Sequence, residues 1–456
     1  MERERLKSRL GFILISAGCA IGIGNVWKFP YMTGKGGGGA FVLLYLIFLV
    51  MLGLPIMTME FSVGRAARKS PVLAYQKLEP AGSKWHIHGI VAFIGNYLLM
   101  MFYTTVTGWM LHYFYLTVTG RFEGLDSDGV LDVFNTMLTQ PGIMIFWMVV
   151  VVVVGMFIVS IGLEAGLENI TKIVMVTLLV VMIILAINSF FLKGAAEGFK
   201  YYLVPNISRI EETGIGNVIT GAMNQAFFTL SLGIGAMLIF GSYISNDRSM
   251  LGESVTIVIL DTFVAIVSGL IIFPATFTYG VDQTSGPALI FITLPNIFNK
   301  MPLGRLWGSF FFIFMSFAAF STVLAVFENI VSCGMDLTKK SRKQVSLFNM
   351  ILIILLSLPC VFGFSIWSFG WLKPFGGSIL DLEDFLVSNI ILPLGSLVYL
   401  LFCVSRYGWG WDSYMKECNK GEGLKMKNWM RFYLTYILPI IVLFIFVFGI
   451  YDKFFK

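Results

Sequence analysis

Charge is scarce in this sequence: Asp, Glu, Lys and Arg together make up 13% of 456 residues, against about a quarter in a soluble domain. A chain this poor in charge and 57% hydrophobic cannot cover itself with polar surface, which excludes an ordinary soluble enzyme or binding module. Histidine is scarcer still. His86, His88 and His112 are the only three, too scattered for a metal site, and are expected to be structural or interfacial. The five cysteines, Cys19, Cys333, Cys360, Cys403 and Cys418, show neither paired nor metal-ligand spacing. Most lie in apolar runs, where a thiol behaves as a small hydrophobe, so no disulfide framework is read. No nucleophile, base and orienting group occur together in a pattern that suggests an enzyme. No Pro/Gly/Ser-rich linker or long charge block divides the chain, so residues 1–456 are taken as one domain.

What the sequence does have is long apolar runs. The stretches 142–163, 173–192, 385–405 and 432–451 are uncharged and each is close to the roughly 20 residues that a helix needs to cross hydrocarbon. Continuous runs lack the alternation of a membrane barrel, so the fold class is all-α integral membrane. Polar connections place helices at about 10–33, 39–64, 85–118, 142–162, 168–192, 214–245, 252–280, 305–335, 345–364, 384–405 and 430–451, about eleven in all. The first run continues past Trp27 without a small-residue cleavage site, so it reads as a retained helix. Most Lys and Arg fall on the side of Met1, through MERERLKSR, GRAARK, TKKSRK and the stretch 406–431. This puts the N-terminus in the cytoplasm of a multi-pass protein of the cell membrane. The net charge of +6 fits basic loops facing anionic lipid, and no nucleic-acid partner is expected.

One pattern recurs. The first segment carries Gly18-Cys-Ala-Ile-Gly-Ile-Gly-Asn25 and the sixth carries Thr229-Leu-Ser-Leu-Gly-Ile-Gly235. An offset of five helices reverses the direction of the second copy. The expectation is therefore a five-plus-five inverted repeat, about 10–192 and 214–405, with broken first and sixth helices and an extra helix at 430–451. Glycine costs a helix about 1 kcal/mol relative to alanine, so three within seven residues predict a break. Unwound carbonyls suit a small cation, and half-helix amino ends suit a carboxylate. The other reading of each motif alone is a small-residue helix contact; its recurrence at corresponding positions favours the break.

These residues resemble a known family. GCAIGIGNVWKFPY followed by GGGGAF, MEFSVGR, QAFFTLSLGIG and AAFSTVLAVFEN are similar to motifs of the neurotransmitter:sodium symporters, in particular the bacterial amino-acid members such as the leucine and tyrosine transporters. The resemblance covers nearly the whole chain. It implies sodium-coupled import of a neutral, hydrophobic or aromatic L-amino acid by alternating access, with two sodium sites.

Carried over by motif, the first sodium ion would meet Ala20, Asn25, Thr229, Asp261 and the substrate carboxylate. The second would meet Gly18, Ile21, Ala318, Ser321 and Thr322, all neutral ligands. The substrate carboxylate would meet the amides near Ile23 and Gly24 and the hydroxyl of Tyr103. Its amino group would meet carbonyls of Ala20, Phe228, Thr229 and Ser231. Ile23, Leu99, Tyr103, Phe228, Ile234, Thr322, Val323 and Val326 would line the substrate site. Gly22 stands where monoamine members carry aspartate, which favours amino acids. Asp261 stands where many relatives have asparagine, and Ala265 where animal members have a chloride-binding serine; together they imply chloride independence. The alternative for Asp261 is a protonated packing residue.

Lys28 with Asp384, and Tyr103 with Phe228, resemble the outer gate. Most relatives have arginine at Lys28, and the alternative there is a lysine snorkelling to the interface. Arg3 and Asp336, with Ser242 and Tyr243, resemble the inner gate, where Leu6 replaces an expected tryptophan. Glu60 and Glu328 are favoured as structural partners of unwound backbone over proton carriers. Two other function classes compete: an amino-acid-binding membrane receptor without net transport, and an ion channel, for which no ring of charge or filter repeat is seen.

Overall fold

The computed structural model describes residues 6, 8–280, 289–367 and 369–455. Helices dominate, and among the described residues the only β-bridge is the isolated pairing of Arg248 with Glu422. The first segment is two pieces, α1 (Arg9–Ala20) and α2 (Gly24–Lys35), bent by 50°. There follow α3 (Gly39–Ala67), α4 (His86–Val118), α5 (Pro141–Ile161) and α6 (Leu163–Phe190). The sixth segment is again split, into α7 (Ile215–Thr229) and α8 (Ala236–Gly241). Then come α9 (Met250–Tyr279), α10 (Gly304–Thr338), α11 (Arg342–Phe362), α12 (Ile379–Val404) and α13 (Met430–Phe455). Nine of these helices are long and apolar enough to span a bilayer, ten with the bent pair. The count of eleven is reached only by including α7 with α8, whose halves the break leaves too short to qualify alone.

Burial sorts the spans. Of α10's most apolar stretch 78% is buried, against 28% of α13's and 33% of α6's. α10 packs on α4, α6, α5 and α1, so it is the central post. The outer helices turn large apolar side chains outward, such as Phe157, Ile173, Ile440 and Phe444, the surface that lipid covers. His88 and His112 are buried within α4, and the Nδ1 of His86 pairs with Glu79 at 2.7 Å. Hydrogen bonds from His86 and Ser83 outweigh the burial that would raise the Glu79 carboxyl and hold it below its ordinary range.

The two Gly-Ile-Gly motifs break their helices for different reasons. In the sixth segment Ser231, Gly233 and Gly235 take φ of 50°, 92° and 72°, the left-handed region in which glycine alone is unstrained. Gly22 and Gly24 of the first segment have no positive φ; there the need is space. A Cβ on Gly22 would stand 2.2 Å from the Tyr103 hydroxyl and 2.3 Å from Thr322 Oγ1, and one on Gly24 would stand 3.0 Å from the Phe228 ring.

Candidate functional site

A break frees backbone groups that must find partners in a dry interior. At the first break the Gly22 amide donates to Asn25 Oδ1 at 3.1 Å and the Ile23 amide to the Tyr103 hydroxyl at 2.9 Å. Gln225 Nε2 donates to the carbonyl of Gly24 at 2.7 Å, and Ser231 Oγ, from the second break, to that of Cys19 at 3.2 Å. At the second break Glu60 Oε1 accepts from the Gly233 amide at 2.6 Å, and Asn96 Nδ2 donates to the carbonyl of Ile234 at 2.9 Å. The breaks therefore face one another and are tied together.

Between them lies a cavity of about 10 Å³, room for one water-sized sphere, lined by Cys19, Ala20, Gly24, Leu99, Tyr103, Phe228, Ser231, Ile234, Thr322 and Leu392. Cys19 and Leu392 were not among the expected residues. Leu392 follows a π-helical turn of α12 (Leu386–Ile391) that no sequence period reveals. Three expected side chains are absent from the wall. Val323 lies one turn from Phe327, and both turn toward Gly155 of α5, because positions four apart share a helix face. Val326 is buried away from the cavity, and Ile23 offers its amide to Tyr103 rather than its side chain.

Asp261, fully buried in α9, meets two of the residues expected with it at the first ion position, Asn25 and Thr229, while Ala20 lines the cavity. Asn25 Nδ2 donates to its Oδ1 at 2.8 Å, and Thr229 Oγ1 lies 3.2 and 3.3 Å from its two oxygens. Tyr45, a residue missed in sequence, approaches Oδ2 at 3.4 Å. All three donors are neutral. Ala265, one turn on, is buried, and its carbonyl accepts from the Tyr202 hydroxyl at 3.4 Å.

The second group assembles across α1 and α10. Ser321 Oγ donates to the carbonyls of Ile21 at 3.1 Å and Ala318 at 2.8 Å, and Thr322 Oγ1 lies 3.3 Å from that of Gly18. These hydrogen bonds link all five of the residues expected at the second ion position.

At one mouth of the cavity, Lys28 Nζ donates to Asp384 Oδ1 and Oδ2 at 2.9 and 3.0 Å and to Ser388 Oγ at 2.9 Å. The same ammonium lies 4.0 Å from the centroid of the Phe228 ring. At the other end Arg3 is outside the described residues. Asp336 Oδ2 accepts from the Ser70 amide at 2.9 Å, and Ser242 Oγ donates to the carbonyl of Ile239 at 2.6 Å. The Tyr243 hydroxyl donates to Glu328 Oε1 at 2.5 Å, and Arg342 grips Glu328 at 2.6 and 3.1 Å. Glu60 thus partners unwound backbone, as expected, while Glu328 has an arginine and a tyrosine instead.

The family model described as the Sodium:neurotransmitter symporter family matches residues 3–124 and 127–454. The chain belongs to that family. Its members are membrane transporters rather than enzymes, and sodium is the coupled ion. A Bacillus subtilis protein described as an uncharacterized sodium-dependent transporter, YhdH, is 32% identical over 96% of both chains. The rat sodium- and chloride-dependent GABA transporter 2 is 25% identical, over 99% of this chain and 80% of its own. The crystal structure of MhsT in complex with L-phenylalanine superimposes with a TM-score of 0.88 at 36% identity, covering 98% of this chain and 99% of that one.

Proposed function

We propose that this symporter imports a neutral, hydrophobic or aromatic L-amino acid with two sodium ions, by alternating access and without chloride. The observation that carries the reading is the pair of facing breaks around one cavity, with a fully buried carboxylate, Asp261, that receives only neutral hydrogen bonds. An ionised group so placed needs a cation, and a sodium ion beside the substrate carboxylate supplies one. Asp261 would then perform the charge balance that chloride performs in relatives described as chloride-dependent.

Three further features support an amino acid. Gly22 leaves no room for a side chain against Tyr103 and Thr322, so an aspartate there, paired with a bare amine, does not fit. Leu99, Phe228, Ile234 and Leu392 give the cavity an apolar wall, which favours burial of an apolar side chain. MhsT, similar over nearly its whole length, binds L-phenylalanine. The cavity is far smaller than any amino acid of this class, so loading requires its walls to separate, and the Lys28–Asp384 pair with Phe228 would be the outer gate that parts. Arg3 and Asp336 would form the inner one, and the cell membrane would be the site of action, with the N-terminus cytoplasmic.

The test is uptake of labelled phenylalanine, leucine, tyrosine and tryptophan into liposomes without chloride, under an inward sodium gradient and then with potassium in its place. Saturable accumulation that needs sodium and disappears in Asp261→Ala is expected. Binding without accumulation would make the protein a receptor, and uptake indifferent to sodium would end the coupling claim.

A further inference from the structure

A second basic group stands at the same gate. Lys453, in the last turn of α13, holds its ammonium 4.4 Å from the centroid of the Phe385 ring, the residue after Asp384. Phe454 beside it packs edge-on against Phe385 and Phe375, at 5.6 and 5.7 Å between centroids. Above the gate is a vestibule of about 490 Å³, whose wall includes Lys28, Asp384, Ser388 and Lys453. The carboxylates whose charge reaches Lys453 are Asp384 and Asp381, and the ammonium groups are Lys28 and Lys35. Among the described residues Lys453 forms no ion pair. Lys28, by contrast, already contacts both Asp384 oxygens, Ser388 and the Phe228 ring.

We propose that Lys453 is a positioning residue of the transport cycle, the partner that Asp384 takes when Lys28 withdraws and the outer gate opens. This rests on the reading of Lys28 and Asp384 as that gate. A partly buried carboxylate that loses its cation favours any cation within reach, and the flexible four-carbon stem of Lys453 has only to swing from one residue of α12 to the preceding one. Aromatic packing of Phe454 holds the stem's root in place. With a cation available on either side, opening no longer costs the whole ion pair, and the two states lie closer in free energy. A lysine at position 28 suits such an exchange, since a single ammonium lets go more readily than a bidentate guanidinium.

Cys19 is a built-in reporter, because it lines the central cavity and is buried while the gate is closed. Its rate of modification by a charged, membrane-impermeant methanethiosulfonate added outside is measured in sodium without substrate, with Cys19→Ser defining the background. Lys28→Met is expected to speed labelling and Lys453→Met to slow it about three- to fivefold, the scale of one partly exposed ion pair. Lys453→Arg, which keeps the charge, should label like the wild type; an unchanged unfolding midpoint in detergent verifies that each variant is folded. Unchanged or faster labelling in Lys453→Met, with Lys28→Met still fast, would overturn the exchange and leave the gate standing. No change in Lys28→Met would overturn the gate reading and the exchange with it.

Discussion

Replacing Asp261 by asparagine tests the charge logic of the site with almost no change of shape. The carboxamide keeps an oxygen for Asn25 Nδ2, now at 2.8 Å from Oδ1, and places its NH2 toward the hydroxyls of Tyr45 and Thr229, which can turn to accept. What disappears is one negative charge at a fully buried position. Breaking a buried ion pair outright costs about 3–5 kcal/mol. A neutral oxygen still coordinates, so we assign about 2–3 kcal/mol to the lost charge, or about 30- to 160-fold in sodium affinity at 1.36 kcal/mol per decade. Because the substrate carboxylate shares this ion in the proposed arrangement, substrate affinity at fixed sodium should fall with it. Sodium titrations of substrate binding on purified protein, with and without chloride, measure both. The wild type should be indifferent to chloride; the variant should show the rightward sodium shift. An unshifted sodium curve in Asp261→Asn, or a wild type that requires chloride, would refute the argument.

Gly22→Ala should weaken substrate binding sharply. Combined with Tyr103→Phe, which removes the hydroxyl 2.2 Å from the added carbon, it should recover part of the loss, with a coupling of about 1–3 kcal/mol in a double-mutant cycle of binding. Ser321→Ala and Thr322→Ala each remove one neutral oxygen from the second proposed ion position. Each should raise the sodium concentration for half-maximal uptake about two- to tenfold, a shift that sodium titration of transport detects. Arg342→Gln leaves Glu328 buried without its cation, so a loss of about 3–5 kcal/mol in stability is expected, read as a lower unfolding midpoint in detergent.

How much of this was legible in sequence differs from element to element. The unbroken spans followed from apolar length alone, and α4 begins and ends within a residue of its expected bounds. Both breaks were legible because Gly-Ile-Gly recurs at corresponding positions of two long apolar segments, yet the two reasons looked alike. Only the structure separates left-handed backbone at Gly233 and Gly235 from crowding at Gly22 and Gly24. Short helices outside the spans, such as Ser127–Thr139 and Ala195–Leu203, were passed over because they carry no long apolar run. Tyr45 and Gln225 were missed since a single polar group on a buried helix gives no periodic signal. Val323 turns toward Gly155 rather than the small cavity, and the choice between two faces of α10, a helix buried nearly all round, cannot be made from hydrophobicity.

The same packing explains why ion and substrate can be coupled at all. Side chains from continuous helices hold several of the freed backbone groups at the breaks: Glu60 from α3, Tyr103 and Asn96 from α4, Ser321 and Thr322 from α10. The hydroxyls of Ser321 and Thr322 bind the very carbonyls that a sodium ion would take, so an ion arriving there replaces hydrogen bonds already drawing α1 against α10. In the proposed arrangement its differential effect would be on the distance between those two helices, beside which Thr322 lines the small cavity. In the proposed arrangement a substrate entering the cavity would meet Tyr103 and Phe228, and Phe228 lies against Lys28. Ion, substrate and gate would thus act on one short chain of contacts, and each could favour closure only to the extent that it binds the closed arrangement more tightly than the open one.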